Sequence, residues 1–361
     1  MSTKRLAIAP MMEWTDRHCR SFHRMLTKRA VLYTEMVTTG ALLHGDQARH
    51  LDFSQEEHPV VLQLGGSDPA ELAQCAALAQ QWGYDEIDLN CGCPSERVQK
   101  GAFGACLMAE PELVARCVSA MRTSCDLPIS VKHRLGLDQM DASQSPGDYQ
   151  FVLDFVLGVA AAGASQVTIH ARNAILKGLS PKENRSKPPL RYEVAKQIRR
   201  DAQKHYPNLH VLLNGGLESN HDMAQHWNDF DGFMIGRAAY HFPAMLLGWD
   251  DLIESDGDAV GYLFSEADWH RVQIGLITYS QAWLAHCQAN HKPFYLGAIT
   301  RHIMGLAHGR AGSRRWRQRL SDHHALSKVK TPDAIETFFL EASMELGDWA
   351  LFEPPSISVG A

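Results

Sequence analysis

The chain has 361 residues, of which 45% are hydrophobic and 21% charged, and its formal net charge is −6 at pH 7. This composition is typical of a globular protein and excludes a disordered or fibrous chain. The negative charge argues against a protein that coats nucleic acid through its overall charge. The length suits a barrel of roughly 250 residues with an appendage of roughly 100.

The first segment, MSTKRLAIAPMMEWTD, has only a short apolar run, which Glu13 and Asp16 interrupt. It is too short for a secretory signal. The most apolar later segment, FVLDFVLGVAAAGA, carries Asp154 and is too short to cross a bilayer. We therefore expect a cytoplasmic protein with no membrane partner, whose eight scattered cysteines form no disulfide framework.

Short apolar runs of strand-forming residues alternate with longer segments of helical period. In the helical segment DPAELAQCAALAQQW, Asp68 is the expected N-cap and Pro69 the first helical residue. Eight such strand–helix units predict an α/β fold, a closed (β/α)8 TIM barrel, since no GxGxxG fingerprint of an open sheet follows the first strand. The predicted strands lie within residues 6–11, 31–37, 60–66, 86–92, 128–136, 166–172, 210–216 and 232–238.

The strand signal stops after the eighth unit, and the remaining periodic segments are helical. EADWHRVQIGLITYSQAWLAHCQ, YLGAITRHIMGLA and TPDAIETFFLEASMEL all have helical spacing. The sequence therefore predicts a barrel domain over residues 1–245 and a small all-α domain over residues 246–361.

The residues that end the predicted strands are unusually polar. Barrel enzymes build their active sites at these C-terminal strand ends, so a site is expected here. Strand five holds Lys132, and the strand-end residues are Pro10, Met11 and Met12, then Gln63, then Asn90, Cys91 and Cys93, then His170 and Arg172, then Asn214, Gly215 and Gly216, and finally Gly236 and Arg237.

The glycines after strands seven and eight have two interpretations. Gly215, Gly216 and Gly236 could serve tight turns alone. They could also let backbone N–H groups approach a phosphate at the position where barrels often bind one, with Arg237 as an added cation. The occurrence of both glycine groups at the expected strand ends favours the phosphate site.

Lys132 lies in an otherwise apolar run, where an ammonium group is costly unless it has a partner. It could form a Schiff base in an aldolase, or face the N1/O2 edge of a reduced flavin. His170 could likewise be a satisfied core histidine or a donor to a cofactor. Position alone leaves these alternatives open.

Two cysteines stand one residue apart in IDLNCGCPSERVQKGAFGACLM. No CxxC pair occurs in the chain, which argues against zinc, and a disulfide between Cys91 and Cys93 would be strained. Pro94 ends the strand and leaves Cys93 in the loop over the barrel mouth. We therefore expect no metal site and a thiol at Cys93 that acts as a nucleophile or a proton donor.

Two basic segments oppose the acidic average. Residues 177–191 and 301–320 are both rich in lysine or arginine, and the second has six arginines and no acid. Each could be a solvated surface or a local contact for nucleic acid.

The motifs together resemble one family. IDLNCGCPSERVQKGAFGACLM, APMMEWTD, VKHRLG, HARNAILKGLSPKENR, LNGG and MIGRAAY closely resemble the flavin-dependent tRNA-dihydrouridine synthases. GLSPKENR is similar to the corresponding segment of the subfamily that acts on uridines 20 and 20a of the D-loop. The resemblance continues through LGAITRHIMGLAHGRAGSRRWRQRLS in the helical domain. One departure is Ile175, where the family pattern carries tryptophan.

The resemblance implies an enzyme that reduces uridine to dihydrouridine in tRNA with FMN, and with NADPH or alternatively NADH as reductant. It implies that Cys93 is the general acid that protonates C5 after hydride has reached C6. It also implies that Asn90 lies near the extruded base and that Lys182, Arg185 and Arg301 orient the tRNA. The FMN-binding residues that it implies are Pro10, Met11, Met12, Gln63, Lys132, His170, Asn214, Gly215, Gly216, Gly236 and Arg237.

Two other functions compete with this interpretation. Another FMN barrel, such as a dihydroorotate dehydrogenase or an ene-reductase, would share the flavin but act on a small substrate. A barrel-derived protein could instead bind tRNA without modifying it. For the predicted tRNA-modifying enzyme we expect a monomer that does not bind DNA.

Overall fold

The computed structural model describes residues 4–95, 98, 101–262 and 264–347. Eight parallel strands form a closed barrel in chain order, which confirms the predicted TIM barrel. Closure comes from the pairing of the eighth strand with the first, in which Ala7 lies opposite Met234. The strands are β1 (Arg5–Ile8), β2 (Val31–Thr38), β3 (Val60–Gly65), β4 (Glu86–Cys91), β5 (Ile129–Arg134), β6 (Gln166–His170), β7 (His210–Asn214) and β8 (Gly232–Ile235).

Each strand falls within or close to its predicted run, but most end earlier. β1 ends at Ile8, two residues before Pro10, and β7 ends at Asn214. Gly215 and Gly216 follow with φ of 99° and 74°, a left-handed conformation that breaks the extended chain. Pro10, Met11, Met12, Gly215 and Gly216 therefore lie in loops, whereas Gln63, Asn90, Lys132, His170 and Asn214 lie within the strands.

The barrel interior combines an apolar cluster with buried ion pairing. Side chains that alternate along the strands meet inside, as the two-residue period requires. Near the start of β1, Arg5 pairs with Glu86 at 2.6 Å, and the Glu86 side chain is only 3% exposed. The apolar cluster consists of Ala7, Ala9, Val31, Tyr33, Val61, Leu212 and Met234.

Helices connect the strands and continue after β8. The predicted start at Asp68 is confirmed, because its side chain accepts hydrogen bonds from the N–H groups of Ala70 and Glu71. The helices are α1 (Arg17–Leu26), α2 (Thr39–His44), α3 (Gln47–Leu51), α4 (Pro69–Trp82), α5 (Pro111–Ser124), α6 (Pro146–Ala161), α7 (Tyr192–His205), α8 (Asn220–Gln225), α9 (Arg237–His241), α10 (Trp249–Glu254), α11 (Glu266–Ala289), α12 (Gly297–Ile303), α13 (Ser313–Leu320), α14 (His323–Lys328) and α15 (Pro332–Met344).

The chain forms two compact units. The first holds the barrel and consists of the described residues up to Thr15, Ala30–Glu218 and Asp222–Gly236. The second consists of Asp16–Arg29, Ser219–His221 and the described chain from Arg237 onward. The helix α1, which follows the first strand in sequence, thus belongs to the second unit.

The second unit is helical, as predicted for the C-terminal part of the chain. Its longest helix, α11, begins with a capping box in which Ser265 and Asp268 exchange side-chain and backbone hydrogen bonds. Trp249 and Trp316 are fully buried, and the Trp249 indole donates to Asn220 Oδ1 at 3.0 Å. Among the described residues, no helix is both long and apolar enough to cross a membrane.

Candidate active site

Cys93 lies just beyond β4 in a turn that Asn90 organises. The backbone N–H groups of Gly92 and Cys93 both donate to Asn90 Oδ1, at 3.2 and 3.0 Å. The Cys93 carbonyl accepts from the N–H of Ala105 at 2.9 Å. These contacts hold the Cys93 backbone on both sides while its side chain stays partly exposed.

Gly104 is required where the following loop returns to Cys93. Its φ is 79°, and a Cβ at this position would lie 2.6 Å from the Cys93 carbonyl oxygen. A side chain here would therefore push the loop away from Cys93.

Cys91 and Cys93 differ in their surroundings. Cys91 is fully buried, and burial raises the pKa of its thiol well above the ordinary value. Cys93 is partly exposed, and its Sγ lies 3.6 Å from Ser95 Oγ. Of this pair, only Cys93 is accessible to a substrate.

Four polar side chains from three neighbouring strands form a buried chain of hydrogen bonds. Ser130 Oγ donates to Asp88 Oδ1 at 2.9 Å, and Gln63 Nε2 donates to Asp88 Oδ2 at 2.7 Å. Gln63 Oε1 accepts from Asn90 Nδ2 at 2.9 Å. Burial raises the pKa of Asp88 to about 7, although the hydrogen bonds from Gln63 and Ser130 oppose this shift.

Lys132 is the cation of the cluster. Its backbone lies opposite Asn90 in the β4–β5 pairing, and its Nζ donates to Asn214 Oδ1 at 3.1 Å. Asn214 in turn donates from Nδ2 to the Met234 carbonyl at 2.6 Å. Burial and the charge of Arg134 lower the pKa of Lys132 to about 8, although the charge of Asp88 opposes this shift.

The glycines after β7 allow a close approach to the β6 end. A Cβ on Gly215 would lie 2.5 Å from His170 Cδ2, and a Cβ on Gly216 would lie 2.5 Å from Leu190 Cδ1. The Gly215 carbonyl accepts from the Tyr192 hydroxyl at 2.7 Å. Tight packing against His170 is thus one reason for glycine here, in addition to any ligand.

The β1 and β8 ends contribute the remaining predicted residues. Met11 N donates to Thr15 Oγ1 at 2.9 Å, and the Met12 side chain is exposed. A Cβ on Gly236 would meet Ala9 and Met11 only at ordinary contact distances, 3.5 and 3.6 Å. Pro10 lies between Ala9 and Met11, and Arg237 is the exposed first residue of α9 in the second unit.

The loop that carries Lys182 and Arg185 is built around Asn184. Asn184 is fully buried, accepts from the N–H of Ile175 at 2.7 Å and donates to the Ile175 carbonyl at 2.9 Å. Lys182 and Arg185 flank it on the surface, and both side chains are exposed. The buried Asn184 amide therefore holds the loop on which the exposed Lys182 and Arg185 lie.

Arg134 received no role in the sequence analysis, although it belongs to the motif VKHRLG. It is only 3% exposed and donates to the carbonyls of Gly92, Asn173 and Asn184, at 3.1, 3.1 and 2.8 Å. It thereby connects the Cys93 turn to the loop that carries Lys182 and Arg185. A charged residue ending an apolar strand was its only signal in the sequence.

Arg301 lies in the second unit and is held by an ion pair. Its Nη2 lies 2.6 Å from Asp16 Oδ2, and its Nε lies 3.0 Å from His302 Nε2. Asp16 Oδ1 also lies 3.0 Å from His302 Nε2. Because 44% of the Arg301 side chain is exposed, it can still face a ligand.

The other arginines of residues 301–320 divide into two groups. Arg315 pairs with Glu345, Arg319 pairs with Glu341, and Arg310 stacks on the Phe264 ring. Arg314 and Arg317 are exposed on α13. Much of the charge in this segment therefore serves the helical unit itself.

The structure brings Gln63, Asn90, Lys132 and Asn214 together through hydrogen bonds or strand pairing. The backbone N–H of Cys93 is hydrogen-bonded to the Asn90 side chain. The described residues contain no group of three or more His, Cys, Asp or Glu side chains that could hold a metal. All eight cysteines lie in the described part of the chain as free thiols. The chemistry available here is that of a thiol, a buried cation and oriented amides.

Comparison with known proteins identifies the family. The model of the dihydrouridine synthase (Dus) family matches residues 7–342. Three relatives are each named tRNA-dihydrouridine(20/20a) synthase. The Pseudomonas aeruginosa protein is 50% identical over 93% of this chain and 93% of its own length. The Yersinia pestis protein is 48% identical over 89% and 86%, and the Xanthomonas axonopodis protein is 50% identical over 88% of each chain.

The family match spans the barrel and most of the helical unit. It confirms the resemblance drawn from the motifs, and with it the prediction of an oxidoreductase. The chain belongs to the dihydrouridine synthase family.

Proposed function

We propose that this chain reduces uridine to 5,6-dihydrouridine at positions 20 and 20a of tRNA, with FMN as cofactor and NADPH or alternatively NADH as reductant. The relatives that share about half of its sequence carry the name of this activity. The observation that carries the proposal is the partly exposed thiol of Cys93, held on Asn90 beside Lys132.

The residues at the barrel mouth fit FMN. An ammonium has three protons to donate, and within the described residues Asn214 Oδ1 is the acceptor that Lys132 contacts. Lys132 therefore keeps protons for the N1/O2 edge of the ring, where negative charge develops. Arg237 is an exposed cation for the phosphate. The proposed set is Pro10, Met11, Met12, Gln63, Lys132, His170, Asn214, Gly215, Gly216, Gly236 and Arg237.

Cys93 supplies the proton in this scheme. When bound, FMN supplies the hydride that adds to C6 of the uracil ring. Cys93 carries a proton on Sγ and gives it to C5, which saturates the C5–C6 bond. Thiols ordinarily keep their proton at neutral pH yet can release it to a developing enolate. The turn on Asn90 fixes the backbone of Cys93, and Asn90 lies near the extruded base.

The tRNA must release the target uridine from the folded D-arm before the base can reach the barrel mouth. We propose that Lys182, Arg185 and Arg301 contact the tRNA backbone while the base is extruded. The exposure of Lys182 and Arg185 around buried Asn184 supports this. The helical domain, residues 246–361, is the second part of the proposed tRNA-binding surface.

Replacing Lys182 and Arg185 by alanine should weaken tRNA binding and reduce its salt dependence. Each lost phosphate contact lowers the slope of log K against log salt by about one unit. Binding of unmodified tRNA over a range of salt concentrations measures this. Lys204→Ala, an exposed lysine on α7 that pairs with Asp201, is the control. Equal slopes in the double variant and the wild type would contradict the contact.

The proposal as a whole is tested with purified protein and unmodified tRNA. We expect bound flavin to absorb at about 450 nm and this absorbance to disappear when NADPH is added. The absorbance should return when tRNA is added, as dihydrouridine forms. A flavoprotein that ignores tRNA would favour a small-molecule FMN enzyme. A colourless protein that binds tRNA would favour a binding protein without this activity.

A further inference from the structure

A buried carboxylate with no assigned role lies two side chains away from Cys93. Asp88 is fully buried on β4, and its Oδ2 accepts from Gln63 Nε2 at 2.7 Å. Gln63 is hydrogen-bonded to Asn90, and Asn90 accepts from the Cys93 N–H. The hydrogen bonds therefore run without a break from Asp88 to the backbone of Cys93.

The bonds of this chain start from an acceptor at Asp88. Asp88 Oδ2 accepts, so Gln63 turns its NH2 group toward Asp88. Gln63 Oε1 then faces Asn90, which must offer Nδ2. This leaves Asn90 Oδ1 for the N–H groups of Gly92 and Cys93.

The opposite orientation of the amides is costly. If Asn90 turned over, its NH2 group would face the two backbone N–H groups, and donors would oppose donors. Gln63 is 1% exposed and Asn90 is 8% exposed, so little water is available to satisfy them. Unpaired buried polar groups are expensive, and the turn at Cys93 would open instead.

We propose that Asp88 is a positioning residue that orients the amides of Gln63 and Asn90 and so holds Cys93 in place for proton transfer. The inference rests on the proposed role of Cys93. Asp88 does not touch the reacting atoms. Its carboxylate orients the Gln63 amide, which orients the Asn90 amide, and Asn90 in turn accepts from the N–H groups of the Cys93 turn.

Asp88→Asn tests this, because the Asp88 carboxylate accepts from Gln63 and Ser130 through separate oxygens, whereas asparagine offers only one oxygen for these two donors. We expect uridine reduction to fall about tenfold when FMN is saturating. We also expect iodoacetamide to alkylate Cys93 several-fold faster, because the turn opens. The partly exposed Cys106 in the same protein is the internal reference.

Ser130→Ala is the matched control. It removes the other hydrogen bond to the Asp88 carboxylate, from a residue that is equally buried, and leaves the bonds toward Cys93 intact. Both Cys93 alkylation and uridine reduction should stay within about twofold of wild type. An effect as large as that of Asp88→Asn would reduce Asp88 to a packing residue and overturn the proposal.

A double variant tests the direction of the hydrogen bonds separately from the packing of the side chains. In Asp88→Asn with Gln63→Glu, the amide at position 88 can donate to the carboxylate at position 63, which then accepts from Asn90 Nδ2. The Asn90 amide regains its orientation, so Cys93 alkylation should return to the wild-type rate. An alkylation rate as fast as that of Asp88→Asn alone would overturn the proposal, as would an Asp88→Asn protein that alkylates like wild type.

Two further outcomes are decisive. If Asp88→Asn does not fold, the double variant decides alone: a folded protein with wild-type alkylation supports the proposal, and failure to fold overturns it. Alkylation requires neither tRNA nor turnover. A wild-type protein that does not reduce uridine would therefore refute the proposed function, while the comparison of alkylation rates would still test the positioning role.

Discussion

Cys93→Ala should abolish uridine reduction while FMN binding and NADPH oxidation remain. Loss of a general acid typically costs about 10²–10⁴-fold in rate, because C5 then has no positioned proton donor. The thiol lies in a turn beyond β4, so its removal leaves the barrel strands and the Lys132–Asn214 contact in place. Dihydrouridine formation and NADPH oxidation, measured separately on the same protein, distinguish the two half-reactions.

Two cysteines provide controls for this variant. Cys91→Ala removes a fully buried thiol from the residue directly before Gly92. Cys106→Ala removes a partly exposed thiol from the chain that follows. Both should retain most of the uridine reduction. If Cys91→Ala and Cys93→Ala lose activity equally, Cys93 is not the acid. Loss of NADPH oxidation in Cys93→Ala would mean that the thiol serves flavin binding.

Lys132→Met should yield a protein that binds FMN about 10- to 100-fold more weakly, because a hydrogen bond from a charged group to the ligand is lost. Methionine is close in size and unbranched, so the strand should keep its packing. Absorbance of the purified protein and titration with FMN measure the loss. Asn214→Leu, which removes the acceptor of the Lys132 ammonium, should have a smaller effect in the same direction.

The same variant separates the two roles that the sequence leaves open for Lys132. A Schiff-base lysine would be trapped by borohydride in the presence of a carbonyl substrate, in a protein without flavin. A flavin-facing lysine gives no trapped adduct, and its replacement removes the colour. Full retention of FMN by Lys132→Met would contradict the proposed site.

The fold was predictable because its signals are local. Each strand is a short apolar run, and α4 begins at Asp68 and Pro69 as the capping rules require. Predicted strands extended too far where a run continues into glycine or proline, because hydropathy registers neither the left-handed backbone of Gly215 nor the missing N–H of Pro10. The grouping of α1 with the second unit depends on contacts between distant residues, which spacing cannot reveal.

The residues of the candidate site could be selected from the sequence, but the hydrogen bonds among them could not. Gln63, Asn90 and Asn214 were selected because they end predicted strands, and parallel strands bring their ends to one edge. Lys132 was selected because it is a cation inside an apolar run. The bonds among them depend on rotamers and amide orientations that no pattern encodes. Asp88 went unassigned for a related reason: an acid inside an apolar strand has no motif of its own.

The basic segments show a second limit of sequence reasoning. Arg301 was selected from an arginine-rich run, and the structure pairs it with Asp16, far away in the chain. Arg319 similarly pairs with Glu341. Charge density alone therefore does not show which arginines of a basic segment pair within the protein.

The most direct test of the account is to map dihydrouridine at positions 20 and 20a in tRNA from a bacterial strain that lacks its own enzyme for these positions. The wild-type chain should restore dihydrouridine at these positions, and Cys93→Ala, expressed to the same level, should not. Unmodified uridine at both positions in the presence of folded, FMN-containing wild-type protein would contradict the account.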